Sequence, residues 1–189
     1  MTASRSRIPY TYEDYRTLPE DMSRRYELLH GELYMVPAPT TRHQRISRKL
    51  HTILNEHITA NGLGELFYAP VDVILGEGRE REVAQPDILF ITQARREIIK
   101  LHGIEGAPDL VVEILSEGTA ERDRGYKRTL YARSGVSEYW NVDPDARTVE
   151  VYVKSGEDLA GPSVFPADAT ITTLLLPGLA IPLADVLAD

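Results

Sequence analysis

The chain contains no cysteine, which excludes disulfides, thiolate metal sites and cysteine nucleophiles. It has no apolar run long enough to cross a bilayer, and its first residues, Met1 to Pro9, lack the apolar stretch of a secretory signal. A cytoplasmic location is the expectation. Positive charge is scarce, with 21 lysines and arginines against 29 acidic residues and a formal net charge of −8. That sign argues against a protein that coats nucleic acid through its overall field. It does not argue against an enzyme, because carboxylates gathered around a divalent metal add negative charge while basic residues concentrate on one face.

Familiar catalytic signatures are missing as well. There is no GxSxG elbow, HExxH helix, Walker-type loop or GxGxxG after a strand. His30, His43, His51, His57 and His102 do not form a zinc spacing. What is present is an ordinary globular composition, 42% hydrophobic and 26% charged over 189 residues. That is the length of one domain with its own core.

Thr11-Tyr-Glu-Asp14 has the form of a capping box and predicts a short helix to about Leu18. Arg25 to Leu29 and Glu32 to Val36 flank His30-Gly31 and predict a hairpin. From Thr41, Ile46, Leu50, Ile53, Leu54 and Ile58 recur at helical spacing, with Gly62 placed to end the helix. Strands are predicted at Val71 to Leu75 and at Val83 to Ile91, then a short helical segment from Ala94 to Lys100. A fully covered strand is predicted from Asp109 to Leu115. Ser116 and Thr119 can cap a helix running from about Thr119 to Arg133, stopped by Gly135. Strands follow at Val136 to Val142 and Thr148 to Val153. The tail reads as a strand (Thr170 to Leu176) and a short helix (Ile181 to Leu187). The order predicts a mixed α/β fold with helices on a central sheet.

Two carboxylates stand out. Asp87 enters an apolar segment just after Pro86, and Glu113 is the one interior charge of its strand. Because side chains alternate along a strand, Asp109, Val111, Glu113 and Leu115 share one face, and Leu110, Val112 and Ile114 take the other. If the two strands pair, the carboxylates converge. Buried carboxylates need a compensating cation. Mg²⁺, which takes oxygen ligands and keeps several waters, is one candidate. The alternative is that Glu113 pairs with an arginine and Asp87 caps a turn.

Lys127 lies between Leu130 and Tyr131 on a helical wheel, so it projects from the face that packs on the sheet, while Arg124 and Arg128 point toward solvent. It can be a snorkelling stem or an i,i+4 partner of Asp123. It can equally deliver its ammonium to the carboxylates, to orient or deprotonate a water and offset phosphate charge.

Taken together, Gln85-Pro-Asp87-Ile-Leu-Phe90, Pro108 to Ser116, Lys127-Arg-Thr-Leu-Tyr131 and Gly135 to Pro144 resemble the Uma-type restriction endonuclease family. Tyr26 to Leu33 and Pro39 to His43 resemble it too. That bacterial family, long catalogued as a domain of unknown function, is similar to the PD-(D/E)XK nucleases. The resemblance implies a restriction-endonuclease-like fold: one domain over residues 1–189, with a core of about 10–155 and a strand-and-helix extension over 156–189. It implies that Asp87 and Glu113 are the metal-holding acids, and that Mg²⁺ or Mn²⁺ is the cofactor. The lysine of the superfamily, normally two residues after the second acid, is replaced by Leu115, and Lys127 on the following helix takes its place. Glu27 is a candidate fourth member of the catalytic set, although its position equally suits an ordinary hairpin with one exposed charge.

Basic residues gather on two helices, and Arg42, His43, Arg45, Arg124 and Arg128 are candidate nucleic-acid contacts. Solvated helix faces explain such charges too, and His43 can simply extend a helix cap. The expectation is a metal-dependent endonuclease hydrolysing phosphodiester bonds, with DNA as the first candidate substrate and RNA left open by the residues, and with a homodimer possible through the apolar tail from Leu174 to Leu187. The alternative is a catalytically silent module of the same fold that binds nucleic acid or a protein.

Overall fold

The computed structural model describes residues 8–19 and 25–188; residues 1–7, most of the stretch read for a signal, lie outside it. Helix α1 (Tyr12–Arg16) begins at the expected capping box, with Asp14 N donating to the Thr11 hydroxyl at 3.3 Å and Thr11 N to the Asp14 carboxylate at 2.7 Å. Strands β1 (Arg25–Leu29) and β2 (Glu32–Val36) form the expected hairpin. Its turn takes positive φ at both central residues, 51° at His30 and 71° at Gly31, the geometry whose twist matches paired strands. Helix α2 (Thr41–Asn61) starts at the Thr40 cap and stops at Gly62 in the left-handed region.

Strands β3 (Gly64–Tyr68) and β4 (Val73–Leu75) follow. The single strand expected from Val83 to Ile91 is in fact two, β5 (Glu82–Ala84) and β6 (Ile88–Thr92), and they belong to different sheets. The chain crosses between sheets at Gln85-Pro86-Asp87, where Pro86 has no N–H to give to either ladder. The expected short helical segment is a 3₁₀ helix (Gln93–Ile98) that gives way to β7 (Ile99–Lys100), and β8 (Gly103–Glu105) precedes β9 (Leu110–Ile114).

The next helix is continuous but not uniform. It runs as α3 (Ala120–Arg122), a π-helical turn (Asp123–Lys127) and α4 (Arg128–Ser134), ending at Gly135. The helix widens where the Asp123 carbonyl is drawn aside to accept from the Tyr139 hydroxyl at 3.0 Å. Strands β10 (Glu138–Asp143), β11 (Thr148–Ser155), β12 (Asp158–Pro166), β13 (Thr170–Ile171) and β14 (Ile181–Pro182) lead to α5 (Leu183–Leu187).

The fold is mixed α/β, as expected, but it is built on two large sheets instead of one. The first has the order β2-β1-β5-β4-β8-β7 and the second β12-β11-β10-β9-β6-β3. One face of the second sheet, including Leu110, Val112 and Ile114, packs under α2 and the C-terminal tail. Its other face, including Leu89 and Val111, packs against α4 and the first sheet. The alternation expected for β9 is therefore what separates the two cores. The tail is not spare apolar surface: Leu176, Leu179, Ile181, Leu183, Val186 and Leu187 are buried in the chain's own core. Among the described residues, no helix is long and apolar enough to cross a membrane.

Candidate functional site

Antiparallel pairing of β6 with β9 sets Ile88 against Val112 and Leu89 against Val111. One step further, that register places Asp87 opposite Glu113, on the face shared by Leu89 and Val111. The crossing at Pro86 leaves Asp87 at the mouth of the strand. Its Oδ2 accepts from Ile114 N at 2.7 Å and lies 3.1 Å from Nε2 of His43. His43 also extends the α2 cap, as its backbone N donates to the Thr40 hydroxyl.

Glu113 does not pair with an arginine. Its Oε1 accepts from Lys127 Nζ at 3.0 Å and from the Tyr131 hydroxyl at 2.8 Å. Lys127, from the π turn, is 4 % exposed and also lies 2.7 Å from Glu27 Oε1 and 3.4 Å from Asp123 Oδ1. Glu27 is not the exposed hairpin charge that its position in β1 permits. It is 1 % exposed, accepts from Gln85 N at 2.9 Å and faces Arg122 at 3.7 Å. The structure thus brings Glu27, His43, Asp87, Glu113 and Lys127 to one cleft of about 740 Å³, together with Asp123 and Arg122.

The electrostatics follow from burial. Desolvation pushes the Glu113 carboxyl well above the usual carboxylate range, against the pull of Lys127 and with help from the nearby Asp123, Asp87 and Glu27 charges. Asp123 is raised for the same reason, partly held back by Lys127. Burial alone would depress Lys127, yet Glu113, Glu27 and Asp123 together raise it above an ordinary lysine. At neutral pH it is an ammonium, so it can orient a water or offset charge but not take a proton from that water.

In this cluster the four carboxylates Glu27, Asp87, Glu113 and Asp123 face two permanent cations, Lys127 and Arg122. Full ionisation would leave two negative charges uncompensated, the charge of one divalent cation. Asp87 Oδ1 and Glu113 Oε2 accept no hydrogen bond among the described residues, so two carboxylate oxygens on adjacent strands are available. No group of three His, Asp or Glu side chains among the described residues is arranged to hold a metal. Asp87 and Glu113 are two oxygen donors of the kind a hard divalent ion takes, and such an ion would draw the rest of its shell from water.

Of the candidate nucleic-acid contacts, His43 and Arg42 share the cleft and Arg45, Arg124 and Arg128 lie outside its lining. Arg42 lines the cleft and pairs with Asp145 at 2.8 Å. Arg45 is exposed on α2 outside the cleft lining. Arg124 is held by Asp143 and Glu150 at 2.7 and 2.8 Å, and Arg128 lies over the Tyr152 ring at 5.4 Å. Sequence reasoning missed Arg25 on the cleft wall and the role of Gln85 in fixing Glu27. Only Gln85 carried a signal, as part of the Gln-Pro-Asp motif.

Two known proteins are similar to this chain. The chain is 25% identical over 146 residues to an uncharacterised protein of Synechocystis sp., covering 77% of this chain and 74% of that one. The crystal structure of a “putative nuclease belonging to DUF820” from Anabaena variabilis superposes with a TM-score of 0.79 at 22% identity, covering 95% of this chain and 98% of that one, a likeness of fold. The pattern of the Uma2 family, described as “Putative restriction endonuclease”, matches residues 12–184, and the chain belongs to that family.

Proposed function

We propose that the protein is a divalent-metal-dependent endonuclease that hydrolyses phosphodiester bonds in DNA. The observation that carries this reading is the pair of carboxylates at the junction of two sheets, Asp87 and Glu113, each fixed through one oxygen and open through the other, with a buried ammonium beside them. Family membership supports it. Asp87 and Glu113 would hold Mg²⁺ or Mn²⁺, which when bound supplies Lewis acidity toward a phosphoryl oxygen and lowers the pKa of a water ligand.

The protein's own part is positioning and charge. Ile114 N and His43 fix the direction of Asp87, and the Tyr131 hydroxyl fixes Glu113. Glu27 and Asp123 hold Lys127 in place against Glu113. As a fixed ammonium in a largely dry wall, Lys127 offsets negative charge building on the phosphoryl oxygens and orients the attacking water. Plasmid DNA incubated with Mg²⁺ or Mn²⁺ tests the reading: the wild type is expected to nick or linearise it, and Asp87→Ala or Glu113→Ala to abolish cutting while remaining folded by circular dichroism. A folded, metal-binding wild type that cuts nothing would favour the silent binding module instead.

A further inference from the structure

Tyr68, the last residue of β3, is 61 % exposed yet sits against the cleft. Its position is fixed by the same backbone that fixes Asp87. Tyr68 pairs in register with Ile88, and Ala69 N donates to the Asp87 carbonyl at 3.0 Å. The ring is braced from below by His51 of α2, edge to face at 4.7 Å between centroids and 77° between planes. Its hydroxyl makes no hydrogen bond among the described residues. The exposed ring thus borders the cleft on the strand that neighbours the Asp87 backbone.

Resting on the nuclease reading of the cleft, we propose that Tyr68 is a stacking platform for an unpaired nucleobase, so that the strand presented to Asp87 and Glu113 is single-stranded or locally unpaired. In an intact duplex the base faces are covered by their neighbours, and only an unstacked base can offer its face to a side-chain ring. The charge distribution points the same way. Lys127 is committed to three carboxylates and Arg122 to Glu27 and the Tyr34 ring. Arg25 also lines the cleft and makes no ion pair among the described residues, and one such cation suits a single phosphate backbone better than two. Arg48 is exposed on α2 one turn from both Gln44, which lines the cleft, and His51. It is placed to meet a phosphate flanking the stacked base.

The test uses the full chain in EDTA, where no cleavage competes, and a short single-stranded oligonucleotide carrying 2-aminopurine, with its duplex as the second probe and an RNA strand of the same sequence as the third. The wild type is expected to bind either single strand more tightly than the duplex and to quench the probe. Tyr68→Ala should weaken single-strand binding about tenfold or more and abolish the quench, in line with the loss of one stacked base. Tyr68→Phe, which keeps the ring, should retain both. Cleavage with Mg²⁺ is measured in parallel. If the wild type cuts but Tyr68→Ala leaves KM for the single strand and the quench unchanged, the platform is wrong and the nuclease reading stands. If Tyr68-dependent quenching is seen and nothing is cut, the platform stands and the nuclease reading falls. Equal binding of duplex and single strand, or no binding of either, overturns the proposal.

Discussion

Lys127 Nζ lies 2.7 Å from Glu27 Oε1, with the two side chains 4 % and 1 % exposed, so an ion pair with almost no access to water ties β1 to the π turn. Removing the cation strands Glu27, Glu113 and Asp123 in the interior, and breaking a buried pair of this kind costs about 3–5 kcal/mol. Lys127→Met should therefore be destabilised by that order at pH 7 in urea unfolding. The deficit should shrink on acidification, because carboxyls whose folded pKa is raised stabilise the fold while protonated and lose that contribution as pH rises. A variant as stable as wild type at pH 7 would mean that the lysine is not compensating these charges.

The surplus of two negative charges in the same cluster makes a second prediction. Mg²⁺ or Mn²⁺ should raise the melting temperature in a concentration-dependent way, as any ligand of the folded state does. Protons and metal compete for the raised Glu113 carboxyl, so the affinity should increase with pH through that group's titration. Glu113→Gln keeps an oxygen for the Tyr131 hydroxyl but removes the charge. Calorimetric titration should then show no saturable heat for this variant; undiminished binding would remove Glu113 from the metal site.

Much of this site was legible from local chemistry, and the rest was not for definable reasons. Glu113 announced itself as a charge in an apolar strand, and Lys127 as a charge on a core-facing helical stripe, because burial is written in the neighbours at period 2 and period 3.6. Glu27 was ambiguous because a hairpin strand tolerates a charge on its open face; only the long-range packing of α3 and the π turn over β1 buries it. The two-sheet architecture was hidden by Pro86, which reads as a flaw within one strand when it is the junction between two. Strand β12 escaped because Gly161-Pro162 interrupts its alternation. Arg124 and Arg128 looked like solvent-facing cations because partners on β10 and β11 cannot be seen from the helix alone.

Away from the cleft, Glu138 is 5 % exposed and held by the Trp140 indole N–H at 2.6 Å and by the Thr173 hydroxyl. Burial raises its carboxyl above the usual range even though both hydrogen bonds oppose the shift. A raised acid binds its proton more tightly in the folded state, so its contribution is complete below the ordinary carboxylate value and is lost as pH rises through the raised one. Glu138→Gln keeps an acceptor for Trp140 and cannot ionise. Melting curves across this window should fall less steeply with pH for the variant than for wild type; parallel curves would mean that Glu138 titrates normally.

Arg25 and Arg124 separate cations that serve a ligand from cations that serve the fold. Arg25 lines the cleft and makes no ion pair among the described residues, whereas Arg124 is clamped between Asp143 and Glu150 on the second sheet. A cation that meets a phosphate releases a counterion and steepens the salt dependence of binding by about one in log–log slope. Arg25→Ala should therefore weaken oligonucleotide binding and flatten that slope by about one, with unchanged melting. Arg124→Ala should leave the slope alone and cost less than about 1 kcal/mol in stability, since its side chain is 37 % exposed and such pairs are well screened. Fluorescence anisotropy over a series of KCl concentrations reads both variants, and a flattened slope for Arg124→Ala with none for Arg25→Ala would place the nucleic-acid path on the other face of the protein.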